Sequence, residues 1–353
     1  MPRQKRQPTL KSIAERCGVT ANTVSLALRD SPLVVETTKA RIRQAAREMG
    51  YVPNVLAGSL RSGKSNTVAI LVGDVSNLLF AQRIKDLERK LRMLNYQVLI
   101  LNTDEDPETE MQAIRTAVSH QVDGIILCPC QHDRRNIEML HDFRTPYVLL
   151  GREFEDLTDD TVVWDDEEGA RLAALHLIHA GCRSIVFLNG PEYVSSAKLR
   201  RKGYESVMKE AGLTPITITA SLITGRLGSS LQPIIDGHIP CDGLFVFNDL
   251  MALEACSWLI KHGVRIPDDL AVVGFDDILS SVSLPFELTS IACDRHEEAS
   301  HAVNTLLNRI KDPDLPPQIE RLPVQLIIRA SSLRSAGNHS CCVLSPDADV
   351  ISE

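Results

Sequence analysis

The sequence lacks the marks of several protein classes. No apolar run among its 353 residues is long enough to cross a membrane, so no membrane partner is expected. The chain does not open on a leader with an apolar stretch and a small-residue cleavage site. MPRQKRQ runs straight into a polar segment, and the expected location is cytoplasmic. The nine cysteines are odd in number and scattered, which argues against a complete disulfide framework and fits free thiols in a reducing compartment. Cys128-Pro-Cys130 and Cys341-Cys342 have no second Cys/His pair at zinc-site spacing, so no metal and no other cofactor is expected. No nucleophile–base arrangement stands out, and the chain is read as no enzyme. After Leu333 there are no leucine heptads, so a coiled coil is not expected there.

What is present begins with a charge asymmetry. Residues 1–64 hold 12 Lys/Arg against 4 Asp/Glu, a balance of +8, while the remainder holds 26 against 42, a balance of −16. A basic head on an acidic body suits a head that binds nucleic acid in a salt-dependent way. Within the head, Leu10, Ile13, Ala14 and Cys17 recur at helical spacing. Gly18 offers a tight turn, and Thr20 is placed to N-cap a second helix running to about Arg29, with Val24, Ala27 and Leu28 inward. Two short helices about a glycine turn form a helix-turn-helix, whose second helix can enter the major groove of double-stranded DNA. Its outward residues would be Ala21, Asn22, Thr23, Ser25, Leu26 and Arg29. A third helix carries Ile42, Ala45, Ala46 and Met49 and stops at Gly50.

Gly58 to Ser65 matches the phosphate-loop formula G-x-x-x-x-G-K-[ST]. A true phosphate loop follows a strand and opens a helix. Here a helical segment precedes the motif and the strand VAILV follows it, so nucleotide binding is rejected. From Val68 short β-branched runs (68–72, 97–102, 124–128, 147–151) alternate with amphipathic helices. A second series is expected from near Val162, with strands at 184–190, 216–220, 243–249 and 270–277. This pattern predicts two α/β lobes with parallel sheets covered on both faces and a cleft between them. Residues 288–294, a helix at 295–311 and a strand at 323–329 add to the lobes or cross between them. The expected organisation is a head at 1–51, a hinge helix and linker at 52–66, a two-lobed body at 67–334 and a disordered tail at 335–353.

The stretches TLKSIAERCGVTANTVSLALRDSP, TKARIRQAAREMGYVPNVLAGSLRSGKSNTVAILVGDVSN, HLIHAGCRSIVFLNGP, FVFNDLMAL and VVGFDDI closely resemble the lactose/galactose repressor family of bacterial sugar-responsive regulators. The resemblance spreads over residues 9–330. It implies a helix-turn-helix head, a hinge helix and a body like the periplasmic sugar-binding proteins. It further implies that Ala21 and Asn22 read bases, with Asn able to pair with adenine. Leu26 replaces a frequent arginine, which puts the usual operator sequence in doubt. Thr20, Thr23, Ser25, Arg29, Thr38 and Asn54 match positions touching phosphate or sugar, which orient a protein without specifying sequence. Thr9, Leu10 and Ala57 complete the DNA-contacting set, and Leu60 matches a leucine that wedges into the minor groove. Val35 stands where a serine usually caps the third helix, and Gly58 weakens the hinge helix.

In the body, Phe80, Arg152, Arg200, Asn248 and Asp276 match effector-contacting positions. Gly151 and Cys293 replace a frequent aspartate and glutamine, so the effector's identity is not inherited. The function implied is a DNA-binding transcriptional regulator, most often a repressor. It acts as a homodimer on a palindromic operator and answers to a sugar-like effector. A sugar-binding module without DNA-regulatory activity is the alternative.

Overall fold

The computed structural model describes residues 8–51, 64–220, 227–278 and 287–334. The chain divides into two compact units, Met1–Ser65 and Asn66–Glu353. The expected hinge residues Asn54, Ala57, Gly58 and Leu60, most of the phosphate-loop-like motif, Cys341, Cys342 and the expected tail lie outside the described residues.

The first unit holds α1 (Leu10–Cys17), α2 (Ala21–Leu28) and α3 (Glu36–Met49). Thr9 and Ser12 cap α1 reciprocally: Thr9 Oγ1 accepts from Ser12 N at 3.2 Å, and Ser12 Oγ accepts from Thr9 N at 2.8 Å. Gly18, at φ +64°, ends α1 in the left-handed conformation that glycine adopts freely. Thr20 Oγ1 then accepts from Thr23 N at 3.1 Å and starts α2. Val35 occupies the N-cap of α3 and supplies no side-chain bond to it. Ile13, Val24 and Ile42 meet in a core completed by alanines of all three helices. Leu26 differs from its expected outward placement, because it is half-buried and leans on that core.

The second unit begins β1 (Thr67–Val72), α4 (Leu78–Met93), β2 (Gln97–Asn102), α5 (Pro107–Ser119), β3 (Gly124–Leu127), α6 (Arg135–Phe143), β4 (Tyr147–Leu150) and β5 (Thr161–Trp164). It continues with α7 (Asp166–His179), β6 (Ile185–Asn189), α8 (Ser195–Glu210), β7 (Ile216–Thr219), α9 (Gly228–Ile235), β8 (Gly243–Val246), α10 (Asp249–Lys261), β9 (Ala271–Asp276) and β10 (Thr289–Cys293). Last come α11 (Arg295–Lys311), β11 (Ile319–Leu322) and β12 (Val324–Ile327).

Two six-stranded sheets result, ordered β11-β5-β4-β3-β1-β2 and β12-β10-β9-β8-β6-β7. Pairing is parallel except for β12, which runs antiparallel to β10. In the first sheet Ile70 lies between Ile100 and Ile126. The central strands are buried on both faces, as their continuous apolar runs require.

Two expectations need correction. The strand near Val162 does not open the second lobe; β5 pairs with β4 and belongs to the first. β11 was not foreseen, because it is an edge strand reading IERL with alternating exposure rather than an apolar run.

The chain crosses between the lobes three times, at Trp164–Asp166, Cys293–Arg295 and Leu322–Val324. After the second crossing, α11 returns to the first lobe. A Cβ on Gly124 would come within 2.8 Å of Leu306 Cδ1, so a side chain there would have to displace Leu306, which packs α11 onto β3. The first lobe is therefore built from two separate parts of the sequence.

Candidate functional site

In the head, Ala21 and Asn22 are exposed in the first turn of α2, and Thr23 and Ser25 are half-buried. Arg29 folds back along the helix, its Nη2 donating to Ser25 Oγ at 3.1 Å. Thr38, in the first turn of α3, is half-buried, while Thr9 is exposed and Leu10 half-buried at the start of α1. Asp30 is held by Lys39 and Arg43 at 2.9 and 2.7 Å, and the Lys39 hydrogen bond, followed by that of Arg43, lowers its pKa. Among the described residues Lys11, Arg41 and Arg47 form no ion pair. Their charge is available to an anionic surface.

The body holds a cavity of about 700 Å³ between its lobes, outside the carboxyl ends of the strands. All five expected residues line it. Phe80 comes from α4 and Arg152 follows β4. Arg200 comes from α8, Asn248 caps α10, and Asp276 ends β9. Asn248 Oδ1 accepts from Met251 N at 2.9 Å, so its carbonyl caps the helix while the residue faces the cavity. Arg152 departs from a free donor role. It donates to both Glu105 oxygens, at 2.7 and 2.8 Å, and to Pro129 O at 2.8 Å. Arg200 is also engaged: its Nε donates to Asp166 Oδ1 at 2.7 Å, its Nη1 donates to Phe247 O, and its guanidinium carbon stands 3.4 Å from the centre of the Phe275 ring.

Asp276 is the exception to this pairing. It is only 2 % exposed, sits at φ +95°, and its Oδ1 has no hydrogen-bond partner among the described residues. Arg200 Nη2 lies 3.6 Å away, an ion pair without a hydrogen bond. Burial pushes the Asp276 pKa up to about 6 against the pull of Arg200 and Arg83. Trp164 Nε1, a buried donor on the same cavity, is unpartnered too. Buried polar groups are nearly always satisfied. A donor and an acceptor left open on the two sides of one cavity describe part of a ligand.

Sequence reasoning missed Arg83, Glu105, Trp164, Asp166 and Glu298. Arg83 did carry a signal: with Phe80, Leu87 and Leu91 it falls on the apolar stripe of α4, where a charge needs an explanation. At Gly151 the Arg83 guanidinium occupies the space where a side chain would be. Cys293 ends β10 as a buried thiol, and Cys128 and Cys130 are free buried thiols whose pKa burial pushes up to about 11.

Residues 9–54 match the model of bacterial regulatory proteins of the lacI family, and residues 174–332 match a periplasmic binding protein-like domain. The ribose operon repressor of Halalkalibacterium halodurans is 28% identical over 324 residues, 92% of this chain and 97% of its own. The chain thus carries a lacI-family DNA-binding domain followed by a periplasmic binding protein-like domain. It is a DNA-binding transcriptional regulator and not an enzyme. The NTD biosynthesis operon regulator NtdR of Bacillus subtilis is 29% identical, over 92% of this chain and all of its own. The transcriptional regulator CelR, solved as a cellobiose complex, superposes with a TM-score of 0.70 at 26% identity, covering 92% of this chain and 99% of CelR. The lac repressor dimer bound to operator and the anti-inducer ONPF shares the fold, with a TM-score of 0.83 at 24% identity over 93% of this chain and all of that one.

Proposed function

We propose that this regulator is a cytoplasmic homodimer that represses from a palindromic operator, and that an uncharged, sugar-like effector in the cavity sets its operator affinity. The observation that carries the effector reading is the open acceptor of Asp276, buried in a cavity whose arginines are each paired with a carboxylate. Each of the three lining arginines already has a carboxylate at 2.7 Å: Arg83 with Glu298, Arg152 with Glu105 and Arg200 with Asp166. Asp74 and Asp104 add further acidic groups to the lining. With each arginine's charge already matched by a carboxylate, an anionic effector would meet no uncompensated positive charge. A hydroxyl needs only the open groups. Structural neighbours solved with cellobiose, D-xylulofuranose and ribose support a carbohydrate.

On DNA, Asn22 and Ala21 read base edges, with Leu26 beside them. Thr9, Leu10, Thr20, Thr23, Ser25, Arg29, Thr38, Asn54 and Ala57 position the backbone, and Leu60 wedges the minor groove. The effector acts by binding two states of the body with different affinity. Phe80 and Arg152 contact it from one lobe, and Arg200, Asn248 and Asp276 from the other.

The test starts with selection of bound sequences from random DNA, followed by operator titration with and without cellobiose, D-ribose and D-xylulose. One of these sugars should shift operator affinity in the native chain. Asp276→Ala should abolish the shift and leave effector-free binding nearly intact. A normal response from Asp276→Ala would refute the cavity assignment, and selection of no DNA would leave the sugar-binding module alone.

A further inference from the structure

We propose that Arg83 determines effector specificity in this cavity, using a guanidinium nitrogen that fills the space left by Gly151 to read one oxygen of the effector. The proposal rests on the cavity reading above. Gly151 sits at φ +75°, and a Cβ built there would lie 2.6 Å from Arg83 Nη1 and 2.7 Å from Nη2. An L side chain at 151 would be strained by the backbone and would evict the guanidinium. The two positions therefore act as one device: the missing side chain makes the room and the arginine uses it.

The guanidinium is held rigidly. Its Nε donates to Glu298 Oε2 at 3.0 Å and its Nη2 to Glu298 Oε1 at 2.7 Å, with both side chains almost fully buried. Its carbon stands 4.5 Å from the centre of the Trp164 ring. Two parallel hydrogen bonds and a stacked face fix the plane of the group. This use of Nε and Nη2 leaves Nη1, which has no acceptor among the described residues. Glu298 lies on α11, outside the cavity lining, so its two oxygens orient Arg83 without competing for the ligand.

The indole stacked with that guanidinium carries the other open donor of this wall, Trp164 Nε1. Arg83 Nη1 and Trp164 Nε1 thus present donors from adjacent groups, while Asp276 Oδ1 presents an acceptor from the second lobe. An effector oxygen with lone pairs, a hydroxyl or a ring oxygen, meets the donors, and a hydroxyl proton meets Asp276. A site built to hydrogen-bond an oxygen rejects an analogue lacking it, because its own buried donors are then left unpaired.

The experiment is calorimetric titration of the full chain with D-ribose, D-xylulose, D-glucose, D-galactose and cellobiose, then with the monodeoxy analogues of whichever binds. The variants are Arg83→Leu with Glu298→Leu, which leaves no unpaired buried charge, and Arg83→Lys, which keeps the charge beside Glu298 but withdraws Nη1. For one deoxy analogue, the native chain should bind at least tenfold more weakly than it binds the parent sugar. Both variants should weaken the parent at least tenfold and bind the two within twofold of each other. Unchanged discrimination in the variant that folds overturns the role of Arg83. If Asp276→Ala abolishes binding in that case, the cavity reading stands without Arg83. Parent binding unaltered by Asp276→Ala and by the Arg83 variants refutes the cavity reading, and failure of every sugar to bind the native chain refutes both.

Discussion

Asp249 offers a test of the body that needs neither operator nor effector. It is fully buried at the start of α10, where its Oδ1 accepts from Ser290 Oγ at 2.6 Å and its Oδ2 accepts from Ile278 N at 2.9 Å. Burial, reinforced by the nearby charge of Asp276, pushes its pKa from 3.8 up to about 8. An acid with a raised pKa keeps a proton in the folded state that the unfolded chain has released. Its stabilising contribution is whole below pH 3.8 and is lost as pH rises toward about 8. The loss is about 1.4 kcal/mol per pH unit within that window, or about 4 kcal/mol from pH 5 to pH 8. Asp249→Asn removes the titration and keeps both contacts: its carbonyl accepts from Ile278 N and its amide donates to Ser290 Oγ. Urea unfolding of both chains across this range gives the measurement. The native chain should lose about 4 kcal/mol relative to the variant. Parallel pH profiles would refute the assignment of a proton to buried Asp249.

Three further outcomes are expected. Asn22→Ala should cost about 1–3 kcal/mol on the selected operator and relax one base position, whereas Arg29→Ala should weaken all sequences alike and flatten the salt dependence, both read by anisotropy titration. Val35→Ser should supply the missing cap of α3 and slow hydrogen exchange of its first-turn amides by about 1 kcal/mol, since the backbone there is already extended at φ −66°, ψ 148°. Gly203→Ala should destabilise the body by about 1–3 kcal/mol in urea unfolding, because the new Cβ would fall 2.1 Å from Glu167 O where α8 packs against α7.

Much of this architecture was legible because its signals are local. Ile13, Val24 and Ile42 mark the faces of three helices, and the β-branched runs from Val68 onward mark buried parallel strands. The five effector positions came from motif resemblance, and the structure brings all of them to one cavity. What escaped was non-local or weakly apolar. β11 has the alternating exposure of an edge strand. β5 was read as opening the second lobe because its run gives no hint of which sheet it joins. Glu105, 47 residues from Arg152, and Glu298, 215 residues from Arg83, are partners that spacing along the chain cannot announce. Their pairing turns one expected donor, Arg152, inward and puts an unexpected one, Arg83, on the wall.

The three crossings also govern how the protein is made. A ribosome delivers residues 66–164 first, yet the sheet they form still lacks β11, and the face of β3, β4 and β5 still lacks α11. Both missing pieces emerge only after the chain has passed through most of the second lobe. Until then Arg83 has no Glu298, and the surface awaiting Leu306 is open to water. The lobe begun first is among the last parts finished. Nascent chains stalled before residue 295 should expose that apolar face to chaperones, and those in which residue 322 has cleared the ribosome should hide it.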